Sequence, residues 1–269
     1  MVRVALLLLV LGGCDSLFDL DRVRSSADDG GTEPGDGNVV QDVTMIDAKP
    51  CTPIGHNEDT DMLDDGCDSC PTITNVGTDT DGDGLDDACD PNLGLNDRDQ
   101  ILFWTTFPTM SSLTEDFTSN GNVMWEPGTN GQVVVFANSV LTAKEGFKPT
   151  KIEVRTALVG VGIGAEANMM HSGATCQVMG SDCEKNTALL SCVTAYPNGS
   201  NGTLQKPGSD VRLIEMIGGN NLVTCVASSS PTSEASGQTQ VSLSPNNLQF
   251  TTNSSGSIII TAIVIYGTL

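Results

Sequence analysis

Basic and aromatic side chains are scarce in this chain. There are twelve Lys/Arg and two His among 269 residues, and Phe, Trp and Tyr together make up 4%. Affinity for nucleic acid comes largely from Lys/Arg neutralising phosphates; with a formal net charge of −22 and no basic cluster, nucleic acid is excluded as a partner. No apolar run approaches the ~20 residues that a membrane-spanning helix needs. The lone His of residues 100–269 is His171, in "NMMHSG"; without a recognisable Ser or Cys partner it reads as structural. No G-x-S-x-G turn and no E-x-D-x-x-E strand is present. Cleavage of a glycosidic bond needs two flanking carboxyl groups, and Glu115, Asp116 and Glu126 are the nearest approach to such a cluster. The chain is therefore expected not to be an enzyme.

What the chain has is acid, unevenly placed. Residues 15–99 carry twenty-three Asp/Glu against four Lys/Arg, and residues 100–269 carry eleven against seven. An acidic front thus joins a near-neutral back rich in Val, Ile, Leu and Thr, long enough for one sizeable core. Residues 15–50 are rich in Asp, Gly and Ser with no sustained period, the composition of a flexible, solvated tether. From about residue 99, short β-rich runs alternate with Gly, Asn, Ser and Pro. These are 99–107, 132–138, 151–164, 188–196, 210–218, 221–228, 240–244, 247–252 and 257–267. Ile152 and Val154 alternate with Glu153 and Arg155, the pattern of a strand with one wet face. The last run, "SIIITAIVIYG", is apolar on both parities and β-branched, and reads as a central strand buried on both sides. Nine such runs and no convincing amphipathic helix argue for an antiparallel sandwich.

The N-terminus, "MVRVALLLLVLGGC", has one Arg, an apolar run from Val4 to Leu11 and then small residues, the layout of a secretory leader. Leu11-Gly12-Gly13-Cys14 resembles the lipobox of bacterial lipoproteins. That resemblance implies a leader over 1–13 and acylation of Cys14, so that the membrane is a partner through two or three acyl chains. It implies the bacterial cell envelope, with the outer membrane or cell surface favoured over the inner membrane; Asp15 leaves the choice open. The chain has nine Cys. Lipid on Cys14 leaves eight, an even number suited to an oxidising compartment.

Residues 57–68, "NEDTDMLDDGCD", align without a gap on residues 79–90, "DTDGDGLDDACD". Asn57, Asp59, Asp61, Leu63, Asp65 and Asp68 fall on Asp79, Asp81, Asp83, Leu85, Asp87 and Asp90. Oxygen-bearing residues thus occupy positions 1, 3, 5, 9 and 12 of each loop, with the carbonyls of Leu63 and Leu85 at position 7. A hard cation that takes six to eight oxygens is wrapped in this way, and calcium fits a many-carboxylate cage better than magnesium. Asp86 is surplus and expected to face water. Asn57 at position 1 and Met62 in place of Gly84 make the first loop the weaker binder.

With "CDSCP" (67–71) ahead of the second loop, residues 51–91 resemble thrombospondin type 3 repeats. Those are calcium-wrapped, disulfide-stapled units with almost no hydrophobic core. The resemblance implies bonds Cys51–Cys67 and Cys70–Cys89. A type 3 module (51–94) followed by a β-rich domain (95–269) is similar to proteins that end in a concanavalin A-like or laminin G-like jelly-roll sandwich. That order implies a mainly β fold and a surface ligand, either a glycan or an envelope protein, bound in adhesion; a purely structural stalk and cap, and behind it a glycoside hydrolase, are the alternatives. Trp104, Trp125, Tyr196 and Tyr266 are the candidate sugar-stacking rings, with Trp104 and Tyr266 assigned to the core and Trp125 the better surface candidate. The remaining four cysteines allow three sets of pairs; in one, Cys192 and Cys225 link two predicted strands and Cys176 and Cys183 close a small loop.

Overall fold

The computed structural model describes residues 51–269 apart from 76, 94–97, 128–130, 160–163, 182, 184–190, 208–210, 220, 231–232 and 269. The leader, Cys14 and the tether to residue 50 lie outside the described residues. Among the described residues no helix is long and apolar enough to cross a membrane.

Two antiparallel sheets form the sandwich. The eight-stranded sheet runs β13 (Ser233–Thr239), β12 (Leu222–Ser230), β11 (Leu213–Gly219), β6 (Lys151–Val159), β15 (Ile258–Thr268), β4 (Gln132–Val135) and β3 (Val123–Glu126), and β1 (Asp99–Thr105) also pairs with β15. The seven-stranded sheet runs β10 (Asn201–Leu204), β9 (Ser191–Tyr196), β8 (Ala174–Met179), β7 (Glu166–His171), β14 (Asn246–Thr252), β5 (Val140–Phe147) and β2 (Phe117–Asn120). One short helix, α1 (Met110–Asp116), crosses between them; Thr109 caps it by accepting the Ser112 N–H. Residues 240–244, expected as a strand, form none, although Val241 and Leu243 still pack against the core.

Alternation decides which side chains meet in the middle. In β7, Ala167, Met169 and His171 point inward, and in β8, Ala174, Cys176 and Val178 do. Leu248 and Phe250 of β14 and Met216 and Ile214 of β11 join them in one continuous core. Each fully buried Leu, Ile, Phe or Met contributes ~1.5–3 kcal/mol, and this core is where the sandwich gets its stability.

The face of β15 away from that core is covered too. Val264 and Tyr266 pack there against Leu85 and the Cys70–Cys89 disulfide of the acidic segment. That is why "SIIITAIVIYG" is apolar on both parities. It also corrects the reading of β6: Glu153 is 0% exposed and Arg155 is half-buried, because the acidic segment sits on what looked like the wet face.

Candidate metal centre

Residues 57–65 and 79–87 close in the same manner. The Asp65 N–H donates to His56 O (2.9 Å) and the Asp87 N–H to Thr78 O (2.7 Å). At position 9, Asp65 Oδ1 accepts the Glu58 N–H at 2.9 Å and its Oδ2 contacts His56 Nδ1. Asp87 likewise accepts the Thr80 N–H (2.7 Å) and hydroxyl (2.6 Å). Both carboxylates therefore serve as loop fasteners. Their oxygens are engaged at the neck of each loop, and among the described residues neither belongs to a cluster of three converging carboxylates.

The groups that do converge are Asp59, Asp61 and Asp68 in the first loop, Asp79, Asp81 and Asp83 in the second, and Asp83, Asp90 and Asp99 beside it; in each, one oxygen per residue lies within 4.8 Å of the others. Positions 3, 5 and 12 share one local device. One carboxylate oxygen accepts the N–H two residues on: Asp61 for Asp59, Leu63 for Asp61 and Cys70 for Asp68, matched by Asp83, Leu85 and Asn92 in the second copy. This Asx-turn geometry leaves the second oxygen of each outside the turn, where Asp61 Oδ2 accepts the Asn75 N–H (3.5 Å) and Asp83 Oδ2 the Asp99 N–H (2.8 Å). Asp59 Oδ2, Asp68 Oδ2 and Asp81 Oδ2 are buried with no hydrogen-bond partner, and so is the nearby Asn75 Oδ1. Burial raises Asp59 above the usual carboxylate range and pushes Asp68 up to about 6, and neighbouring carboxylates add to the rise in both. A cation is the partner this donor set fits: the free donors are all hard oxygens, and several are anionic.

The copies differ where the sequence differs. Position 4 is left-handed in both, with Thr60 at φ 66° and Gly82 at φ 78°. At position 6 Gly84 is left-handed at φ 103°, while Met62 is fully exposed. Asn57 accepts the Thr60 N–H and donates to Asp61 O, holding the loop without joining the acidic group, whereas Asp79 joins it. Leu85 is buried and Leu63 is 40% exposed. Asp86 corrects another expectation. It is buried, with its N–H on Ser69 Oγ and its Oδ1 accepting the Ala88 N–H. Its counterpart Asp64 accepts N–H groups from Ile54, Gly55, His56 and Gly66, and this holds its carboxyl below the usual range.

Asp99 is the acidic residue that sequence reasoning missed. It opens β1, is buried, donates its N–H to Asp83 Oδ2 at 2.8 Å and accepts from Asn92 and Thr150. Its signal was an Asp heading an apolar run nine residues past Asp90. Further polar contacts fix the acidic segment to the sheet. Thr72 Oγ1 donates to Glu153 Oε2 (2.5 Å), Arg155 donates to Thr72 O (2.5 Å) and Lys151 Nζ donates to Cys89 O (3.3 Å). Lys151 also pairs with Glu153 (2.5 Å) and Glu215 (3.0 Å); burial alone would depress it, but the two carboxylates outweigh burial and hold it above the ordinary lysine range.

Cys51 is bonded to Cys67 and Cys70 to Cys89, the pairs that the type 3 pattern implies. In the sandwich a different one of the three sets forms, Cys176–Cys225 and Cys183–Cys192. The reason is facing direction. Cys176 and Cys225 share parity with the inward residues Val178 and Val223 on opposite sheets, whereas Cys192 shares parity with Thr194 on the outside of β9. His171 is buried, with Nε2 on the carbonyls of Phe147 (3.2 Å) and Asn246 (2.9 Å) and Nδ1 on Ser172 Oγ (2.8 Å), a serine partner that the sequence reading did not recognise. Glu126 accepts from Gln132 Nε2 (2.7 Å) at the end of β3. Trp125 is half-buried, packs on the core and donates to Phe107 O at 2.8 Å. Tyr266 is buried beneath the acidic segment, and Tyr196 is 43% exposed.

No family model matches the chain, and neither does any curated protein. Solved structures do, at low identity. The β-glucanase of Bacillus licheniformis matches with a TM-score of 0.44 at 9% identity, over 61% of this chain and 96% of that one. β-Agarase A of Zobellia galactanivorans matches with a TM-score of 0.46 at 10% identity, over 67% and 96%. The Ca2+/Man2-bound exoplasmic/lumenal domain of VIP36 matches with a TM-score of 0.44 at 9% identity, over 63% and 87%. What is shared is a concanavalin A-like, jelly-roll sandwich. These neighbours correct the expectation that the chain is not an enzyme, since glycoside hydrolases stand among them beside a glycan-bound domain.

Proposed function

We propose that the protein is a calcium-binding, lipid-anchored component of the bacterial cell envelope, whose lectin-like sandwich takes a surface ligand, a glycan or an envelope protein. In this reading residues 1–13 are a leader, Cys14 carries the acyl chains, 14–50 are a tether, 51–94 are a type 3-like calcium module and 95–269 are the sandwich. One observation carries it. Two loops in register leave a carboxylate oxygen at the matching position 3, on Asp59 and Asp81, and another on Asp68, buried and without hydrogen-bond partners, in a set made only of hard oxygen donors.

Asp59, Asp61 and Asp68 would hold one ion, and Asp79, Asp81, Asp83, Asp90 and Asp99 the remainder, with the position-7 carbonyls of Leu63 and Leu85. Bound calcium would cancel the charge that these side chains otherwise impose on one another. The chain's own residues do the rest: Asp65 and Asp87 close the loops, the cystines limit their reach, and Leu85 seats them on Tyr266. A module seated on the sheet favours ligand presentation over a free-standing stalk and cap.

The test is calorimetric titration of calcium into the chelator-stripped full chain, with native mass spectrometry to count ions. Heat and at least one retained ion are expected; absence of both would sink the calcium reading. Intact mass of the protein taken from membranes tests acylation at Cys14 separately.

A further inference from the structure

A cleft of about 610 Å³ lies at the seam between the acidic segment and the sandwich, within the usual ~300–1,000 Å³ range of small-molecule sites. Ile54 and His56 form one wall. The sandwich contributes Trp104 near the end of β1 and Ser112, Glu115 and Asp116 of α1. No Lys or Arg lies among the described lining residues. Trp104 is half-buried, packed partly against the module cluster.

The chemistry narrows the occupant. Glu115 and Asp116 outnumber the one lysine near them, Lys144, whose Nζ donates to Thr114 O (2.6 Å), so an anionic ligand is repelled, and a wholly apolar ligand would strip their water without replacing it. A sugar does neither: it lays a C–H face on an aromatic ring and donates hydroxyls to carboxylates. Burial, with Glu115 and Glu145 close by, raises Asp116 above the usual carboxylate range, in keeping with a partly desolvated acceptor.

We propose that this cleft binds a neutral oligosaccharide, with one ring face on Trp104 and hydroxyls donated to Glu115 and Asp116. The inference rests on the reading of the sandwich as glycan-binding and names its site. The site is also cation-dependent, although none of its donors belongs to an acidic metal group. Its module wall is strung on the first loop, since Asp64 accepts the N–H groups of Ile54 (2.7 Å), Gly55 (2.7 Å) and His56 (3.2 Å), and His56 Nδ1 contacts Asp65. If the loop loosens, the wall goes with it.

The chain has two tryptophans, so Trp125→Phe leaves Trp104 as the sole emitter. The calcium-loaded full chain carrying that change is titrated with neutral tetrasaccharides of β-1,3-linked glucose, β-1,4-linked glucose and α-linked mannose, with calorimetry on the wild type and on each variant in parallel. A saturable change in Trp104 emission with at least one sugar is expected. Trp104→Ala, Glu115→Gln and chelation should each raise its Kd about tenfold or more; Glu115 is exposed, so its replacement leaves the fold intact. Sugar binding that ignores both substitutions would place the ligand elsewhere and overturn the cleft, while the glycan reading stands. No binding of any sugar to calcium-loaded wild type would overturn both. Quenching by an oligolysine peptide, and not by sugars, would make this a cation site and refute the proposal.

Discussion

Stripping the divalent cation should unfold residues 51–93 and leave the sandwich intact. In the first loop, oxygens of Asp59, Asp61 and Asp68 lie within 4.8 Å of one another. At an effective dielectric of ~20, each pair of unit charges at such a distance costs ~3.5 kcal/mol, or roughly 10 kcal/mol for the three pairs. Solvent at the half-buried Asp61 and ordinary salt reduce this to about 5 kcal/mol. Against it the module sets little oily surface of its own. Leu85 is its one buried aliphatic side chain among the described residues, and a fully buried Leu contributes ~2–3 kcal/mol. Repulsion therefore wins once the cation leaves. Limited proteolysis of the full chain reads this directly, and emission of Trp104, which packs against the module, should shift to the red. High salt, which shortens the screening length to ~3 Å at 1 M, should restore part of the resistance. A chelated chain at neutral pH and low salt that keeps both its protease resistance and its Trp104 emission would refute the reasoning.

Three further outcomes are expected. Glu153→Gln should cost about 3 kcal/mol of stability by thermal unfolding, because it leaves the buried Lys151 short of one of its two carboxylates, and broken buried pairs cost ~3–5 kcal/mol. Replacing Cys70 and Cys89 together by Ser opens a link of sequence separation 19, worth ~3 kcal/mol in loop entropy, and should lower the calcium-loaded module's resistance to urea. Burial holds His171 below the usual histidine range, so the unfolded chain binds a proton that the folded chain refuses. Stability should fall as pH drops below ~6.5, and urea midpoints should fall less in His171→Gln.

The sandwich was legible because its strands carry their burial in alternation, and β15 was legible because it is apolar on both parities. Strands such as Ser233–Thr239, "SEASGQT", were not. They place only Ala235, Gly237 and Thr239 inward, and take their form from pairing with a neighbour rather than from their own composition. Glu153 and Arg155 misled for a related reason: alternation reveals that a face is polar but not that another segment lies on it. The convergence of acidic side chains in the two loops was readable because the repeat fixes Asp at every second position. What escaped was the division of labour. Asp65 and Asp87 look like ligands in the one-dimensional pattern, and only closure of the loop turns them toward the backbone. Asp99 lay outside the repeat. The sandwich cystines were readable in principle, had the parity of Cys176 and Cys192 been compared with their neighbours.

The cystines also set how the molecule answers to tension. Between residues 51 and 89, Cys51–Cys67 and Cys70–Cys89 leave only residues 68 and 69 outside a closed ring, so a module that has lost its ions pays out little slack. Cys176–Cys225 bolts one layer to the other across a separation of 49, locking away about 170 Å of contour at ~3.5 Å per residue. A tug between the chain's start and its far end would meet short, hard stops where an unlinked sandwich would unreel.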